Sequence, residues 1–399
     1  MNRAAGLGSD GALNNRGGSP DLGQLEAVRG LLADSFRFAA PDAPGLHFMG
    51  GLADPALAGL SGDLPKISTA GSDLSAAGAE MRCLGETAER LSSLYDASRA
   101  MQAVAGEEVP ADLRALMEGD AGGAAVPCLQ GQRLNDGEAA WVPAALVLHD
   151  PQGGLGGPAG KAAKGIAAGP DWQSAVDRAL AELVERDAAA LWWLGGALPA
   201  PVGLELLADG QAGPVLQALR QGQTARRTWL LDISAGFGLT VITAVSVMPD
   251  GEGFACGLSA AASPADAIRS ALVEMAQMEL SQHLIRGKAK ALGPEGLTEA
   301  DFRQIERSVR ITPESCPLIL AHGPPRLAGL PQASPAALLI EAGPLYAVDC
   351  TLPVLDIPVA AVLAPALQPM ELAAETGRLR AIAQSTGGGR QYHQGVQLV

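Results

Sequence analysis

Aromatic residues are scarce in this chain, at six Phe, three Tyr and five Trp among 399 residues. A core with so few rings has to be made of small and aliphatic side chains, chiefly Ala, Leu and Val. Cysteine is scarcer still: Cys83, Cys128, Cys256, Cys316 and Cys350 are scattered, odd in number and contain no Cys-x-x-Cys. That excludes a disulfide framework and a structural zinc site, and makes a reducing cytoplasm the expected setting. The histidines at 47, 149, 283, 322 and 393 have no metal-ligand spacing. Basic residues are outnumbered, 28 Lys plus Arg against 43 Asp plus Glu, a formal charge of −15. So acidic a surface lacks the basic footprint of a nucleic-acid binder, although carboxylates can hold a phosphate group through Mg²⁺. Long apolar runs are missing as well. Ala188 to Leu204, an uncharged stretch as long as any in the chain, is broken by Gly195, Gly196, Pro199, Pro201 and Gly203, so no membrane helix is expected. Met1 to Asp10 has one Arg and no apolar segment, which excludes a signal peptide there. There is no nucleophile elbow, and Gly251 to Gly257 lacks G-x-G-x-x-G spacing.

What the chain has is apolar mass: 48% hydrophobic and 18% charged residues, enough for a sizeable core. Residues 1 to about 24, rich in Gly, Asn and Ser, read as a loose tail. Gln24 to Phe36 reads as a short amphipathic helix with Leu25, Val28, Leu31 and Leu32 on one face. Pro- and Gly-rich chain follows to about Pro65. Thr228–Ile233, Leu239–Met248, Ala336–Ile340 and Ile357–Leu363 read as strands. Strands and helices mix without strict alternation, so the expected fold class is α+β, with mixed or antiparallel sheets and flanking helices. The expected organisation is an N-terminal extension (1–60), a main domain (61–370) and a C-terminal tail (371–399).

The informative feature is an internal repeat. Its copies are GSDLSAAGAEMRCLGETAER from Gly71, GIAAGPDWQSAVDRALAELVER from Gly165, and GLSAAASPADAIRSALVEMAQ from Gly257. Aligned on Glu86, Glu182 and Glu274, all three have Ala seven positions earlier (Ala79, Ala175, Ala267) and Leu two earlier (Leu84, Leu180, Leu272). Four positions earlier stand Arg82, Arg178 and Ser270; three later, Glu89, Glu185 and Gln277. The copies are 96 and 92 residues apart, too far for a solenoid. They suggest one Gly-rich loop-plus-helix device used three times around a site.

Carboxylates at i and i+3 share a helix face and repel each other by a few tenths of a kcal/mol. One such pair is ordinarily a solvated surface. Three copies that match at three aligned positions, and in two copies of three at two more, point instead to a shared polar site. Turned inward, the pairs need a cation, and Mg²⁺ takes oxygen ligands and bridges to phosphates. Gly-rich loops ahead of the helices could offer N–H groups to phosphate oxygens. Cys83, within the first helix, and Trp192 with Trp193 read as packing residues.

GETAER and GIAAG-x(11)-AELVERDA resemble the nucleotide-site motifs of the YcaO family. The second copy, with a strand at Leu146–Val147 before it and Trp192–Trp193 after it, is the most specific. DIPVAAVLAPALQP, Asp356 to Pro369, resembles the family's late strand. The resemblance spans roughly Lys66 to Met370. It implies an α+β fold in which three motifs converge on ATP and Mg²⁺, and an enzyme that phosphorylates a peptide amide oxygen. Attack by a neighbouring Cys, Ser or Thr then gives a thiazoline or oxazoline; external sulfide gives a thioamide and an amine an amidine. By resemblance, Glu86, Glu89, Glu182, Glu185 and Glu274 are the metal ligands. Gln277, Ser270, Arg82, Arg178, Arg90, Arg186 and, more remotely, Lys66 join them at the nucleotide. The implied partners are a ribosomally made precursor peptide, a leader-binding protein of the E1-like type and a flavin dehydrogenase, in a homo-oligomer or multienzyme complex, with no nucleic acid and no membrane. Ala70-Gly71-Ser72 stands where some relatives have Gly-Lys-Gly, which points away from the thioamide branch. The final Gln-Gly-Val-Gln-Leu-Val lacks the Pro-x-Pro-x-Pro of many azoline-formers. A degenerate member that grips a peptide without turning over ATP is the alternative class; the five Glu at six ligand positions favour the enzyme.

Overall fold

In the computed structural model, residues 22–96, 99, 101–117, 125–153, 155, 162–203, 212–325, 343–370 and 375–398 are described. Their strands form three antiparallel sheets. The first runs β1 (Leu32–Phe36), β2 (His47–Ala53), β3 (Ile67–Asp73). The second is ordered β4 (Gln102–Ala105), β5 (Ala125–Arg133), β12 (Tyr346–Asp349), β13 (Val359–Leu363), β7 (Lys164–Ala168), with β6 (Ala139–Pro143) also on β5. The third is ordered β11 (Ala255–Ala261), β10 (Thr240–Val247), β9 (Arg227–Asp232), β8 (Ala200–Pro201). The helices are α1 (Leu22–Arg29), α2 (Ala76–Ser92), α3 (Ala111–Arg114), α4 (Ala144–Val147), α5 (Trp172–Trp193), α6 (Ala212–Arg220), α7 (Pro264–Leu292), α8 (Glu299–Arg310), α9 (Gly377–Thr386) and α10 (Arg390–His393).

Each repeat copy is a strand, a tight turn and a helix that folds back onto the strand: β3–α2, β7–α5 and β11–α7. The segments read as Gly-rich loops are therefore edge strands, one at the end of each sheet. The same cap starts all three helices. Ser75, Asp171 and Ser263 accept from the backbone N–H three residues on, at 3.1, 2.7 and 3.3 Å, which satisfies otherwise orphaned donors. The aligned Ala and Leu positions are all fully buried. Glycine in the strands is a matter of space. A Cβ on Gly165 would stand 2.0 Å from the Ala179 carbonyl oxygen, and one on Gly257 2.3 Å from that of Ala271. In the first copy Gly71 does the same against Ala79, two residues further along the strand relative to its glutamate.

Several local readings change. The expected helix to Phe36 stops at Arg29, because Gly30 ends it and the chain turns into β1. The Pro- and Gly-rich stretch to Pro65 contains β2, whose Gly50 leaves room for the Phe36 ring. Leu146–Val147 is not a strand but the single helical turn α4 behind Pro143, both side chains in the core. The strand expected at 336–340 and the tail before residue 22 lie outside the described residues. Trp192 and Trp193 are core residues, and their indole N–H groups donate to Leu318 and Val396 carbonyls at 2.8 Å each. After residue 370, α9 lies against α5, and Val396 and Leu398 are buried. A buried ion cluster fixes α7: Glu279 takes both Arg220 nitrogens at 2.6 and 2.8 Å and lies 3.1 Å from Arg226.

The close strand–helix approach gives a direct expectation. Gly165→Ala should destabilise the protein by about 1–3 kcal/mol in urea unfolding, from overpacking. Gly287→Ala, in α7 with open space around the added Cβ, should be neutral or stabilise by about 0.5–1 kcal/mol. Equal effects would contradict the packing account.

Candidate functional site

A backbone N–H on the outer side of an edge strand has no ladder partner. In all three copies the motif glutamates supply one. Glu86, Glu182 and Glu274 each accept from the N–H sixteen residues earlier, on their own strand: Ala70 at 2.7 Å, Ile166 at 2.7 Å and Leu258 at 2.9 Å. The second glutamate reaches the next copy. Glu89 accepts from Ala168 on β7 at 2.8 Å, and Glu185 from Ala260 on β11 at 3.1 Å. On β7 and β11 two outward N–H groups, two residues apart, are thus held by two carboxylates from successive helices, and on β3 the Ala70 N–H is held by Glu86. The pattern places the five glutamates in one run along three converging edges.

The ring closes differently at the third step. The side chain of Gln277, in the position of Glu89 and Glu185, makes no hydrogen bond among the described residues. Opposite it in the alignment, Ser72 has a buried hydroxyl without a partner. The tie is made instead by Arg269 of α7, 2.9 Å from Asp73 at the end of β3, where Arg82 also lies at 3.3 Å. Arg269 and Asp73 were not singled out in the sequence: they fall outside the aligned columns, so the repeat carried no signal for them.

The second carboxylate oxygens divide into two kinds. That of Glu86 takes the Arg90 guanidinium at 2.7 Å, and that of Glu182 the Arg186 guanidinium. Those of Glu89, Glu185 and Glu274 have no hydrogen bond among the described residues. The electrostatics follow. Burial pushes the Glu89 carboxyl up to about 8, and the Glu182 and Glu86 charges add to the rise. Burial, then Glu274 and Glu182, raise Glu185. Partial loss of hydration also raises Glu274, although its side chain reaches the surface, against the Leu258 N–H and the Arg82 charge. Carboxylates that hold protons so firmly lack a counter-cation. Arg178 offsets Glu89 and donates to the Ala168 carbonyl at 3.0 Å. Thus Arg82, Arg90, Arg178 and Arg186 all reach the cluster. Ser270 is half-buried on the third helix, its hydroxyl without a hydrogen bond among the described residues. Lys66 stands apart, paired with Asp54 at 3.3 Å.

This donor set fits Mg²⁺: all oxygen, anionic and held by backbone bonds. Among the described residues no three carboxylate, histidine or cysteine ligands already surround one point. That suits an ion that takes one or two protein carboxylates and completes its shell with water and phosphate.

The family model described as YcaO cyclodehydratase, ATP- and Mg²⁺-binding, matches residues 70–368, which contain all three copies. The chain belongs to the YcaO family. The ATP and Mg²⁺ expected from its motifs are that family's ligands. Three solved structures share the fold. A heterocyclase in complex with substrate and cofactor aligns with a TM-score of 0.73 at 18% identity, over 96% of this chain and 57% of its own. The chain thus spans little more than half of that protein. YcaO from Methanopyrus kandleri, bound with AMPPCP and Mg²⁺, aligns at 0.60 and 21% identity, covering 86% and 88%. A chain of the E. coli microcin synthetase McbBCD complex aligns at 0.61 and 12%, covering 84% and 87%. No protein of curated function matches. No helix among the described residues is long and apolar enough to cross a membrane.

A YcaO site with raised carboxyls makes metal binding and stability pH-dependent. A folded carboxyl near 8, against an ordinary value of 4.5, keeps a proton that the unfolded chain has lost. The metal-free protein should therefore lose stability as pH rises from about 4.5 to about 8, and Glu89→Gln should flatten that fall. Metal binding displaces the protons, so calorimetry at pH 7 in buffers of different ionisation enthalpy should show proton release with Mg-ATP. Zero release would contradict the carboxyl environment described.

Proposed function

We propose that this YcaO protein is an ATP-dependent peptide cyclodehydratase acting on Cys, Ser or Thr of a ribosomally made precursor peptide. The observation that carries the reading is the run of five glutamates, tied to three edge strands, in which Glu89, Glu185 and Glu274 each keep an unbonded oxygen for a cation. Glu86, Glu89, Glu182, Glu185 and Glu274 would together hold Mg²⁺, and Arg90 and Arg186 fix the rotamers of Glu86 and Glu182. Arg82 and Arg178 offset the carboxylates and face phosphate oxygens; Ser270 and Gln277 complete the polar lining. Mg-ATP, when bound, supplies the phosphoryl group that turns an amide oxygen into a leaving group. The protein's contribution is positioning and charge neutralisation, which is most of what phosphoryl transfer asks of an enzyme. A side-chain thiol or hydroxyl of the peptide then adds to the activated carbonyl carbon, and phosphate departs with the oxygen.

The azoline product is supported by the heterocyclase likeness and by Ala70-Gly71-Ser72 in place of a Lys-bearing turn. Those residues lie within β3, and the Ala70 N–H is held by Glu86. A leader-binding partner belongs to the proposal. The described part of residues 22–65 is one helix and two strands joined to β3, not a separate peptide clamp. A flavin dehydrogenase would act later, oxidising the ring.

Glu182→Gln and Glu86→Gln should each weaken Mg-ATP binding more than about tenfold, the scale of losing groups at a metal site, with an unchanged unfolding transition. Unchanged calorimetric affinity in both would overturn the assignment. With partner and precursor peptide, mass spectrometry should show loss of one water per modified residue. Exchange of oxygen for sulfur would reassign the chain to thioamide formation, and intact ATP binding with no mass change to a binding module.

A further inference from the structure

On the side of α5 that bears Glu185, Ala188 and Trp192 stand three and seven residues further on, one and two turns away. Beyond them the surface opens into a cavity of about 350 Å³, walled by Ala188, Leu191, Trp192, Ile233, Leu198 and Ile382. Packed interiors have few voids larger than a water molecule, whereas ligand cavities start near 300 Å³ and are mostly apolar. Leu198, at this cavity, is 43% exposed, an apolar side chain left in water.

The walls are held rigidly. Trp192 is locked by its bond to the Leu318 carbonyl. Asp187, 1% exposed, holds Arg378 through its Nε and Nη2 at 2.8–3.1 Å. Arg378 also donates to the Ala235 carbonyl at 2.9 Å and lies 4.6 Å from the centre of the Phe237 ring. Arg378 lines the cavity, but its charge is matched by Asp187, so it makes no anion site. Phe237 has φ +62° between Gly236 at +111° and Gly238 at +66°. A bulky residue in the left-handed region costs free energy, and such strain persists where the surroundings impose it, often at ligand clamps. Here the loop it shapes, Ser234–Gly238, leads into β10. Thr240, the first residue of β10, pairs with Ala261, next to the Ala260 N–H that holds Glu185.

We propose that this cavity receives an apolar side chain of the peptide, beside the residue whose amide is activated, and so selects the sequence context of modification. The inference rests on the peptide-modifying reading of the carboxylate site. The occupant is a side chain of Leu or Phe size: apart from Ser234 and the Asp187-paired Arg378 the walls are aliphatic and indole carbon, and the volume exceeds that of one such group. A peptide whose amide oxygen faces the nucleotide near Glu185 has its neighbouring residue a few ångströms away, within reach of Ala188.

The test compares two blocked peptides, acetyl-Gly-Leu-Cys-Leu-Gly-amide and acetyl-Gly-Gly-Cys-Gly-Gly-amide, by saturation-transfer NMR on the full chain, with and without Mg-AMPPNP. The Leu peptide should bind about ten- to a hundredfold more tightly, as burial of one aliphatic side chain allows. Two variants fill the cavity from opposite walls, Ala188→Leu from α5 and Ala381→Phe from the exposed face of α9. Each should abolish the preference while leaving Mg-AMPPNP affinity unchanged. Equal binding of the two peptides by the wild type, binding of neither, or a preference that survives in both variants would overturn the proposal. A chain that fails to bind Mg-AMPPNP but prefers the Leu peptide would fail the nucleotide reading alone, so the two failures are distinguishable.

Discussion

A strand at the edge of a sheet leaves N–H groups that water or a partner must satisfy. In this protein three edges turn toward one another, and glutamate carboxylates satisfy them. Each first glutamate bonds its own strand and each second glutamate bonds the next. That one interaction joins local and global structure. It fixes the rotamers of the acidic side chains, seals the exposed edges and couples three separate sheets. Withdrawing these carboxylates from water, and for Glu89 and Glu185 also setting them beside other carboxylates, is the cost of the arrangement, visible in the raised Glu89, Glu185 and Glu274 carboxyls. A cation bound among them would remove that cost.

The ring is not fully symmetric, and the asymmetry has a physical reading. Where α7 meets β3, the carboxylate-to-backbone tie is replaced by Arg269 on Asp73. This leaves Gln277 and the Ser72 hydroxyl unbonded within the described residues, on the side where the first and third copies face each other. A neutral amide there keeps one sector less acidic than the other two. The third helix is anchored away from the site by Glu279 with Arg220 and Arg226, a buried cluster whose partners cannot be removed singly without stranding a charge.

Much of this was legible in the repeat. Ala79, Ala175 and Ala267, with Leu84, Leu180 and Leu272, announced helices that pack on something close, and the Glu columns announced a shared polar face. What the pattern could not tell was the nature of the glycine-rich segments. Gly165 and Gly257 look like loop residues, yet their role is steric: they let a helix lie flat on a strand. Small residues forced by close packing and small residues in a flexible loop read alike in one sequence. The same ambiguity hid β2, where Gly50 makes way for Phe36. Asp187 with Arg378 was invisible for another reason: its partners are 191 residues apart and belong to no repeat.

The central claim is that three strand-and-helix copies converge to hold a cation and a nucleotide together. Electron paramagnetic resonance of Mn²⁺, a stand-in for Mg²⁺, tests it most directly. Because the carboxylates share rather than enclose the ion, bound Mn²⁺ should be weak with protein alone. Adding AMPPNP should create a tightly held signal that Glu89→Gln and Glu185→Gln each diminish. Tight Mn²⁺ binding that is indifferent to nucleotide, or nucleotide binding that persists undiminished in EDTA, would contradict the account.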